Sequence, residues 1–229
     1  LENVQLYAFD SLSDRIHIIQ SPDKKFRIFN WLVNTSDWAK SYFGIIQMYE
    51  QPKKLIPLID YSDKLKDEQT QDILDNRKWF GAEYYNIHQD IINGQTVYLL
   101  FGFNTNSINT NRKLIDVLQI NTTAGTASFG APIFHGIDQL GRRGTFNRYI
   151  LYYKKGASTT LNYDANLKMI VLNKLESEIG APNRLDTYIP AGQIDGYRKE
   201  GDRWIYATNV MNILKLGDGN APIKGVMKQ

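Results

Sequence analysis

Short runs of apolar and aromatic residues, separated by polar residues, recur along the whole chain. Ile, Val, Tyr, Phe and Thr are frequent in the runs, while Gly, Pro, Asn and Asp lie between them, a pattern typical of β-strands. The runs lie at 16–20, 26–31, 42–50, 54–60, 84–91, 96–103, 114–120, 128–134, 147–153, 158–163, 168–175 and 203–210. The chain is therefore predicted to be mostly β.

Polar turns join successive runs into hairpins. The segment SPDKK (21–25) joins the first two runs and QPK (51–53) joins the next two. Asn93-Gly94 joins a third pair, and this dipeptide suits the positive φ angles of a two-residue hairpin turn. Together with weaker turns, such corners recur at a spacing of roughly 35 residues, as in propeller blades or repeated meanders. We predict antiparallel, propeller-like or meandering sheets, with a two-sheet sandwich as the alternative.

Two segments have helical features and are expected to form short peripheral helices. Residues 62–80 begin with Ser-Asp, a possible N-cap, and carry a sparse apolar stripe. Residues 35–43 are long enough for one or two helical turns. We expect a single β domain over residues 1–210. Residues 216–229 contain three Gly and one Pro with little apolar content, and we predict a loosely ordered tail over 211–229.

The composition indicates a folded chain without a broad charged surface. Of the 229 residues, 42% are hydrophobic and 12% aromatic, unlike a disordered chain. The net charge is only +3, so no strong field is available to neutralise many phosphates. The densest basic run could line a polyanion groove or form the polar face of a strand, and the near balance of charges favours the strand. This run consists of Arg142, Arg143, Arg148, Lys154 and Lys155. No nucleic-acid partner is predicted.

Several classes of site and location are excluded by what the sequence lacks. It contains no cysteine, which removes disulfides, thiolate catalysis and Cys-ligated metals. No apolar run approaches the roughly 18–20 residues of a membrane helix, so no transmembrane segment is expected. The N-terminal residues do not have the pattern of a signal peptide. Because the chain begins with Leu, we expect a processed or trimmed product whose export signal has been removed.

Histidines and aspartates are the candidate catalytic residues. His17, His88 and His135 lie in separate runs, without the spacing that places two metal ligands on one face of an element. Aspartates at strand ends and turns could converge into a glycosidase pair, although Asp is also a common turn residue. These aspartates are Asp60, Asp63, Asp116, Asp138, Asp164, Asp186 and Asp195. No phosphate-binding loop, dinucleotide fingerprint or nucleophile elbow occurs. We predict no catalytic residue, no metal site and no cofactor.

Aromatic and amide side chains are the candidate binding residues. Trp79, Tyr84 and Tyr85 could form a face on which a sugar or peptide stacks, or they could fill the core of a β fold. The loop at 104–112 is rich in amide and hydroxyl oxygens and has no carboxylate, so it suits sodium, water or a sugar hydroxyl better than calcium. Asn104 and Asn106 of this loop complete the predicted binding residues.

An ordered series of motifs resembles a family of uncharacterised exported proteins of Bacteroidota. The series runs from about residue 8 to residue 210 and includes SPDKKFRIFNW, WFGAEYYNI, GQTVYLLFGFNTN, RKLIDVLQI, ASFGAPIF, TLNYDANLKMIVLNKL and GQIDGYRKEGDRWIYATNV. In that family a Trp-Tyr-Gly-Ala-Leu-Tyr-Tyr-like stretch precedes a hairpin ending in a Gly-Trp-Asp-Gly-Asn-like loop. Here Phe103 and Asn104 stand in place of the Trp and Asp, which argues against an anionic role for the loop. The resemblance implies an exported protein, periplasmic or outer-membrane-associated, and no particular activity.

Three functions follow from these features, in decreasing order of support. The first is a non-catalytic binding or scaffold module of the cell envelope, which docks a protein or a glycan. The second is a carbohydrate-active hydrolase that uses an Asp pair brought together by the fold. The third is a polyanion binder that uses the basic run.

Overall fold

In the computed structural model, antiparallel strands make up most of the chain, which confirms the all-β prediction. The structure describes residues 7, 9–12, 15–35, 40–51, 54–66, 71–105 and 107–211. Residues 212–229 lie outside these ranges, so the prediction of a loose tail stays a prediction. Within the described ranges, no helix has the length and apolar character needed to cross a membrane.

The described strands form three sheets, of which the first precedes the other two along the chain while the second and third interleave. The first sheet is a meander of β1 (His17–Gln20), β2 (Phe26–Asn34), β3 (Lys40–Met48) and β4 (Leu55–Ile59). The second contains β5 (Leu74–Asp75), β6 (Glu83–Ile92), β7 (Gln95–Asn104), β8 (Thr110–Asn121), β9 (Thr126–Phe129) and β12 (Tyr149–Lys154). The third contains β10 (Phe134–Ile137), β11 (Arg143–Phe146), β13 (Leu161–Asp164), β14 (Met169–Ser177), β15 (Tyr188–Glu200) and β16 (Arg203–Ala207), in the order β11-β10-β16-β15-β14-β13.

The three predicted hairpins are confirmed. β1 pairs with β2, β3 with β4, and β6 with β7, each pair antiparallel. At the third turn Asn93 has φ 49° and Gly94 has φ 73°, the two positive angles that a two-residue hairpin turn requires. The turn residues and the apolar runs on either side of them thus predicted these three hairpins correctly.

The second sheet lies between the other two and is buried on both faces. On β7, Val97, Leu99 and Phe101 pack into a core shared with the third sheet. The alternate residues Tyr98 and Leu100 pack into a core shared with the first sheet. Because successive side chains of a strand point to opposite faces, a continuous apolar run such as that of β7 marks a strand covered on both sides. The sheets therefore form three layers with two cores.

One edge of β8 is divided between two strands. Residues 118–121 pair with β9, whereas residues 110–115 pair with β12. Asp116 lies at the division and is fully buried. Arg148, which immediately precedes β12, is also fully buried and donates from Nη2 to Oδ1 of Asp116 at 2.9 Å. The ion pair thus joins β8 to the start of β12 at the point where the pairing with β9 ends.

The Arg148 guanidinium also binds backbone carbonyls from the neighbouring segments. Nη2 contacts the carbonyl oxygen of Phe129 at 3.3 Å, and Nη1 contacts that of Asp72 at 3.3 Å. Its Cζ lies 5.2 Å from the centre of the Phe80 ring. Burying an ion pair costs solvation, which good geometry and additional hydrogen bonds must offset. These contacts offset part of that cost, while Asp116 Oδ2 is buried without a hydrogen-bond partner, and they bring three chain segments to one point.

The two predicted helices are wrong wherever the structure describes them. Residues 40–43 belong to β3, and within 62–80 the described residues form turns, the short strand β5 and a bridge between Asp60 and Trp79. Residues 36–39 and 67–70 lie outside the described ranges. Two three-residue 3₁₀ helices, Asp10–Leu12 and Leu185–Thr187, lie in the described part of the chain, and residues 71, 210 and 211 are also helical. Burial of Trp79 and Phe80 in the core outweighs the weak local preference for a helix.

The sequence pattern also missed the longest described strand, β15. This strand contains Pro190, Gly192 and Gly196, residues that normally mark breaks in a strand. Gly196 is required by close packing, because a Cβ at this position would lie 2.3 Å from the carbonyl oxygen of Ile170. Pairing with β14 and β16 on both edges stabilises a strand that its own residues favour only weakly.

Removing one partner of the buried ion pair should be strongly destabilising. We expect Asp116→Ala to lower the free energy of unfolding by about 3–5 kcal/mol, because Arg148 would remain buried without its counter-charge. Urea unfolding followed by circular dichroism measures the change. Glu178→Ala removes the exposed Lys154–Glu178 pair and should cost at most about 1 kcal/mol. Equal losses in the two variants would contradict a structural role for the buried pair.

Candidate functional site

The structure places most of the predicted binding residues inside the protein. Trp79 and Tyr84 are fully buried in the core between the first and second sheets, and Trp79 Nε1 donates to the Tyr84 hydroxyl at 2.8 Å. Asn104 is 1% exposed and donates to the carbonyl oxygen of Gly81 at 2.6 Å. Tyr85 is partly buried and its hydroxyl donates to the carbonyl oxygen of Leu161. Asn106 lies outside the described residues.

The aromatic rings at 79 and 84 therefore present no face to a ligand. Their surroundings are those of the alternative interpretation, in which these residues fill a β core. Both rings are fully buried, so a sugar or peptide could stack on them only if the first and second sheets separated. The predicted stacking face is therefore absent at Trp79 and Tyr84.

The three histidines remain apart. His17 Nε2 lies 3.7 Å from Oε1 of Glu83, His88 stacks on Tyr163 with ring centres 3.7 Å apart, and His135 Nδ1 lies 3.0 Å from Oγ1 of Thr145. Within the ranges that the structure describes, no group of three or more His, Cys, Asp or Glu side chains is placed so that it could hold a metal ion. Each histidine has a local structural contact instead.

The basic run does not form one positive surface. Arg142 binds Asp138 and Arg148 binds Asp116, while Lys154 Nζ lies 2.5 Å from Glu178. Lys155 Nζ donates to the carbonyl oxygen of Ser107 at 3.2 Å. Because acidic groups neutralise three of these charges locally, the run offers little attraction for a polyanion.

A cleft of about 420 Å³ lies between the β10–β11 hairpin, β12 and the second 3₁₀ helix. Its apolar wall consists of Leu140, Phe146, Ile150 and Leu185. Its polar wall consists of Gln71, Asp138, Gln139, Arg142, Tyr149 and Tyr152. A concave site with apolar walls and a few convergent polar groups is the usual form of a small-ligand site. We call this space the cleft.

A smaller cavity of about 240 Å³ adjoins the cleft. Asp138, Gln139 and Tyr149 line both spaces. On its far side the smaller cavity is lined by Asp195 of β15 and Tyr206 of β16. Two of the aspartates singled out in the sequence, Asp138 and Asp195, therefore face the same space.

Protein donors occupy both of these carboxylates. Asp138 accepts from the backbone N–H groups of Leu140 and Arg142, each at 2.9 Å, and from Arg142 Nε at 2.6 Å. Asp195 accepts from Gln193 Nε2 at 2.5 Å, from the Asn209 backbone N–H at 2.8 Å and from the Tyr206 hydroxyl at 2.5 Å. Each oxygen of the two carboxylates thus accepts at least one hydrogen bond from another group of the protein.

The tyrosines that line the smaller cavity stay protonated near neutral pH. Burial raises the pKa of Tyr149, and the nearby Asp138 and Asp195 raise it further. Burial also raises the pKa of Tyr206, as does the hydrogen bond that its hydroxyl donates to Asp195. Both side chains are therefore donors rather than nucleophiles.

Two glutamine side chains bind the backbone along the edge of the cleft. Gln139 accepts from the N–H of Tyr152 and donates to its C=O, both at 2.6 Å. Gln71 Nε2 donates to the C=O of Arg148 at 3.1 Å, and Gln71 Oε1 lies 3.4 Å from the Arg148 N–H. Each primary amide thereby takes the place that a neighbouring strand would occupy. These glutamines had no signal in the sequence, because their role depends on strands distant in the chain.

The outer face of the first sheet is a second accessible surface. Val33, Phe43, Leu55 and Ile59 are between 42% and 51% exposed there, and Phe43 stacks against Trp31. The exposed part of this face is apolar, and the hydrogen-bonded side chains of Arg27 and Gln47 on the same face are buried. The cleft combines apolar walls with directed polar groups, which makes it the candidate functional site.

Comparisons with models of protein families, with curated proteins and with solved structures found no match for this chain.

The half-buried position of His88 should make stability depend on pH. Burial lowers the pKa of His88 below its ordinary value of 6.5, the nearby Asp90 opposes this shift, and Lys199 adds to it. Because the unfolded chain takes up the proton at a higher pH than the folded protein does, the free energy of unfolding should fall as the pH decreases below about 6.5.

His88→Phe keeps a ring against Tyr163 and removes the titrating group. We expect this variant to lose less stability than the wild type between pH 7.5 and pH 5, as measured by urea unfolding at each pH. Identical losses in the two proteins would show that His88 does not contribute to the pH dependence.

Proposed function

We propose that this protein is a non-catalytic binding module of the bacterial cell envelope and that the cleft holds a glycan. The observation that supports the proposal most directly is the lining of the cleft, which combines the apolar side chains of Leu140, Phe146 and Leu185 with polar ones such as Gln139 and Arg142. A volume of about 420 Å³ lies within the range of sites for small ligands.

A sugar matches this lining because its surface has two different parts. The C–H groups of a pyranose ring form an apolar face, which suits contact with an aromatic ring such as Phe146. The ring hydroxyls lie around the rim, where the carboxylate, amide and guanidinium groups of the cleft can bind them. The docking prediction made from the sequence is thus retained, with a different set of residues.

The hydrogen bonds that Asp138 and Asp195 accept favour a binding role over a catalytic one. Glycoside hydrolysis needs one carboxyl group that gives a proton to the leaving group and a second that acts as nucleophile or base. Asp138 is held in its turn by three donors, and Asp195 is held by three others. Neither group presents an oxygen free of protein donors.

The envelope location rests on the resemblance of the ordered motifs to exported proteins of Bacteroidota. Glycans are abundant in that compartment, which is consistent with a glycan as the ligand of the cleft. The resemblance supports the location and does not select among glycans.

Shortening the apolar wall should weaken sugar binding. We expect Phe146→Ala to reduce the affinity for an oligosaccharide about tenfold, because the ring contact is lost. Isothermal titration calorimetry with a panel of di- and trisaccharides, with and without N-acetyl groups, measures the change. Phe43→Ala removes an exposed ring from the first sheet and should leave the affinity unchanged. Failure of every sugar to bind the folded wild-type protein would contradict the proposal.

The hydrolase is retained as a second candidate because Asp138 and Asp195 line one cavity. On the binding proposal, prolonged incubation with the tightest-binding oligosaccharide should release no new reducing ends. Asp195→Asn serves as the matched control, since it replaces one carboxylate oxygen by an amide and keeps the shape of the side chain. Release of reducing ends by the wild type and not by this variant would establish hydrolysis in place of simple binding.

A further inference from the structure

The outer edge of β12 carries peptide groups that point into the cleft. Tyr152 uses both its N–H and its C=O to bind Gln139, so these two groups point away from β8. In an antiparallel pair the direction alternates from residue to residue, which means that the N–H and C=O of Ile150 also point away from β8. Gln139 and Gln71 bind this edge on either side of Ile150, and both line the cleft. The two outward groups of Ile150 therefore face the cleft.

These two groups of Ile150 have no partner within the described residues. β12 pairs only with β8 among the described strands, and no described backbone or side-chain group bonds the N–H or C=O of Ile150. Gln71 binds the peptide groups of Arg148 instead, and Gln139 binds those of Tyr152. Because Ile150 itself lines the cleft, a ligand there can reach one donor and one acceptor together.

The complement of this position is one acceptor and one donor that project to the same side. Standard backbone dimensions put the N and O atoms of one extended residue about 2.9 Å apart. Two hydroxyl groups on neighbouring carbon atoms of a pyranose ring, in the gauche arrangement, have oxygen atoms at a similar spacing and project from one edge of the ring. A hydroxyl can accept or donate, so one of the two can accept from the N–H while the other donates to the C=O.

Other groups match the position less well or need space that is already filled. A single hydroxyl would lie between the directions of the N–H and the C=O, so it would make two bent hydrogen bonds, which are weaker than straight ones. A trans secondary amide points its N–H and C=O in opposite directions and can satisfy only one of the two groups. An added peptide strand would also need the positions at Arg148 and Tyr152, which the glutamine amides occupy.

We propose that the Ile150 peptide group recognises two adjacent ring hydroxyls of a hexose, an inference that rests on the proposed function. One hydroxyl accepts from the Ile150 N–H, and its neighbour donates to the Ile150 C=O. Leu140 and Phe146, which line the same cleft, cover the apolar face of the sugar ring. The cleft therefore selects hexoses in which two neighbouring hydroxyls are free, neither linked to another sugar nor substituted.

The direct test follows the Ile150 backbone amide by NMR in the full chain. Methyl β-D-glucopyranoside has three adjacent ring hydroxyls, and its 3-deoxy analogue retains no adjacent pair. The 6-deoxy analogue also lacks one hydroxyl but keeps all three adjacent ring hydroxyls, so it is the matched control. At saturation we expect the glucoside and the 6-deoxy analogue to shift the Ile150 amide resonance and to slow its hydrogen exchange. The 3-deoxy analogue should leave that resonance near its free position.

A variant test isolates the peptide group from the side chain. Ile150→Pro removes the N–H that faces the cleft and leaves the pairing with β8 intact, because this N–H is not part of the ladder. The wild type should bind the 3-deoxy analogue about three- to fivefold more weakly than the glucoside, whereas Ile150→Pro should bind both sugars equally weakly. Ile150→Val keeps the N–H and should retain the difference. If the proline variant does not fold, the exchange rate of the Ile150 amide in the wild type decides the question.

The possible outcomes distinguish this inference from the proposed function. Equal shifts of the Ile150 amide by the glucoside and the 3-deoxy analogue would overturn recognition of adjacent hydroxyls and leave glycan binding standing. The same conclusion follows if neither shifts it while a sugar of the wider panel binds. Failure of every sugar would overturn glycan binding and this inference with it. A primary amide also has its donor and acceptor on one side, so propionamide that shifts the Ile150 amide more strongly than the glucoside would show that the edge recognises an amide instead.

Discussion

The buried ion pair between Arg148 and Asp116 sets the geometry on which the rest of the structure depends. It lies where the edge of β8 passes from β9 to β12, and its guanidinium also binds the carbonyls of Phe129 and Asp72. An apolar pair of similar size could fill the same volume, but it would not select one arrangement of these segments. A directional contact of this kind contributes more to specificity than to net stability. It fixes where β12 begins and so where the cleft lies.

The cleft exists because β12 has a free outer edge that is protected without a neighbouring strand. Proteins usually cover such edges or place charges on them, since an open edge invites pairing with other chains. Here the side-chain amides of Gln71 and Gln139 occupy two positions on the edge. Each glutamine side chain covers one position of the edge and leaves the space beside it open, whereas an added strand would fill that space. Protection of the edge and formation of a concave surface therefore come from the same two residues.

The sequence alone predicted the features that depend on residues close together in the chain. The hairpins around 21–25 and Asn93-Gly94 follow from turn residues and alternating strands, and all-β character follows from the same signals. Features that depend on distant contacts were not predictable. β15 is a strand because β14 and β16 pair with it, and the burial of Trp79 follows from the stacking of two sheets. The glutamines of the cleft are polar residues of ordinary spacing, and only the fold gives them partners.

The position of β16 in the third sheet has a consequence for synthesis of the protein. β16 lies between β10 and β15 and pairs in parallel with β10, although about 70 residues of chain separate the two strands, a connection that is costly to close early. The third sheet therefore stays in two parts until β16 has left the ribosome. Tyr206 and Asp195, which wall the smaller cavity, come together when β16 pairs with β15. A nascent chain can consequently complete its first two layers before Tyr206 reaches the smaller cavity.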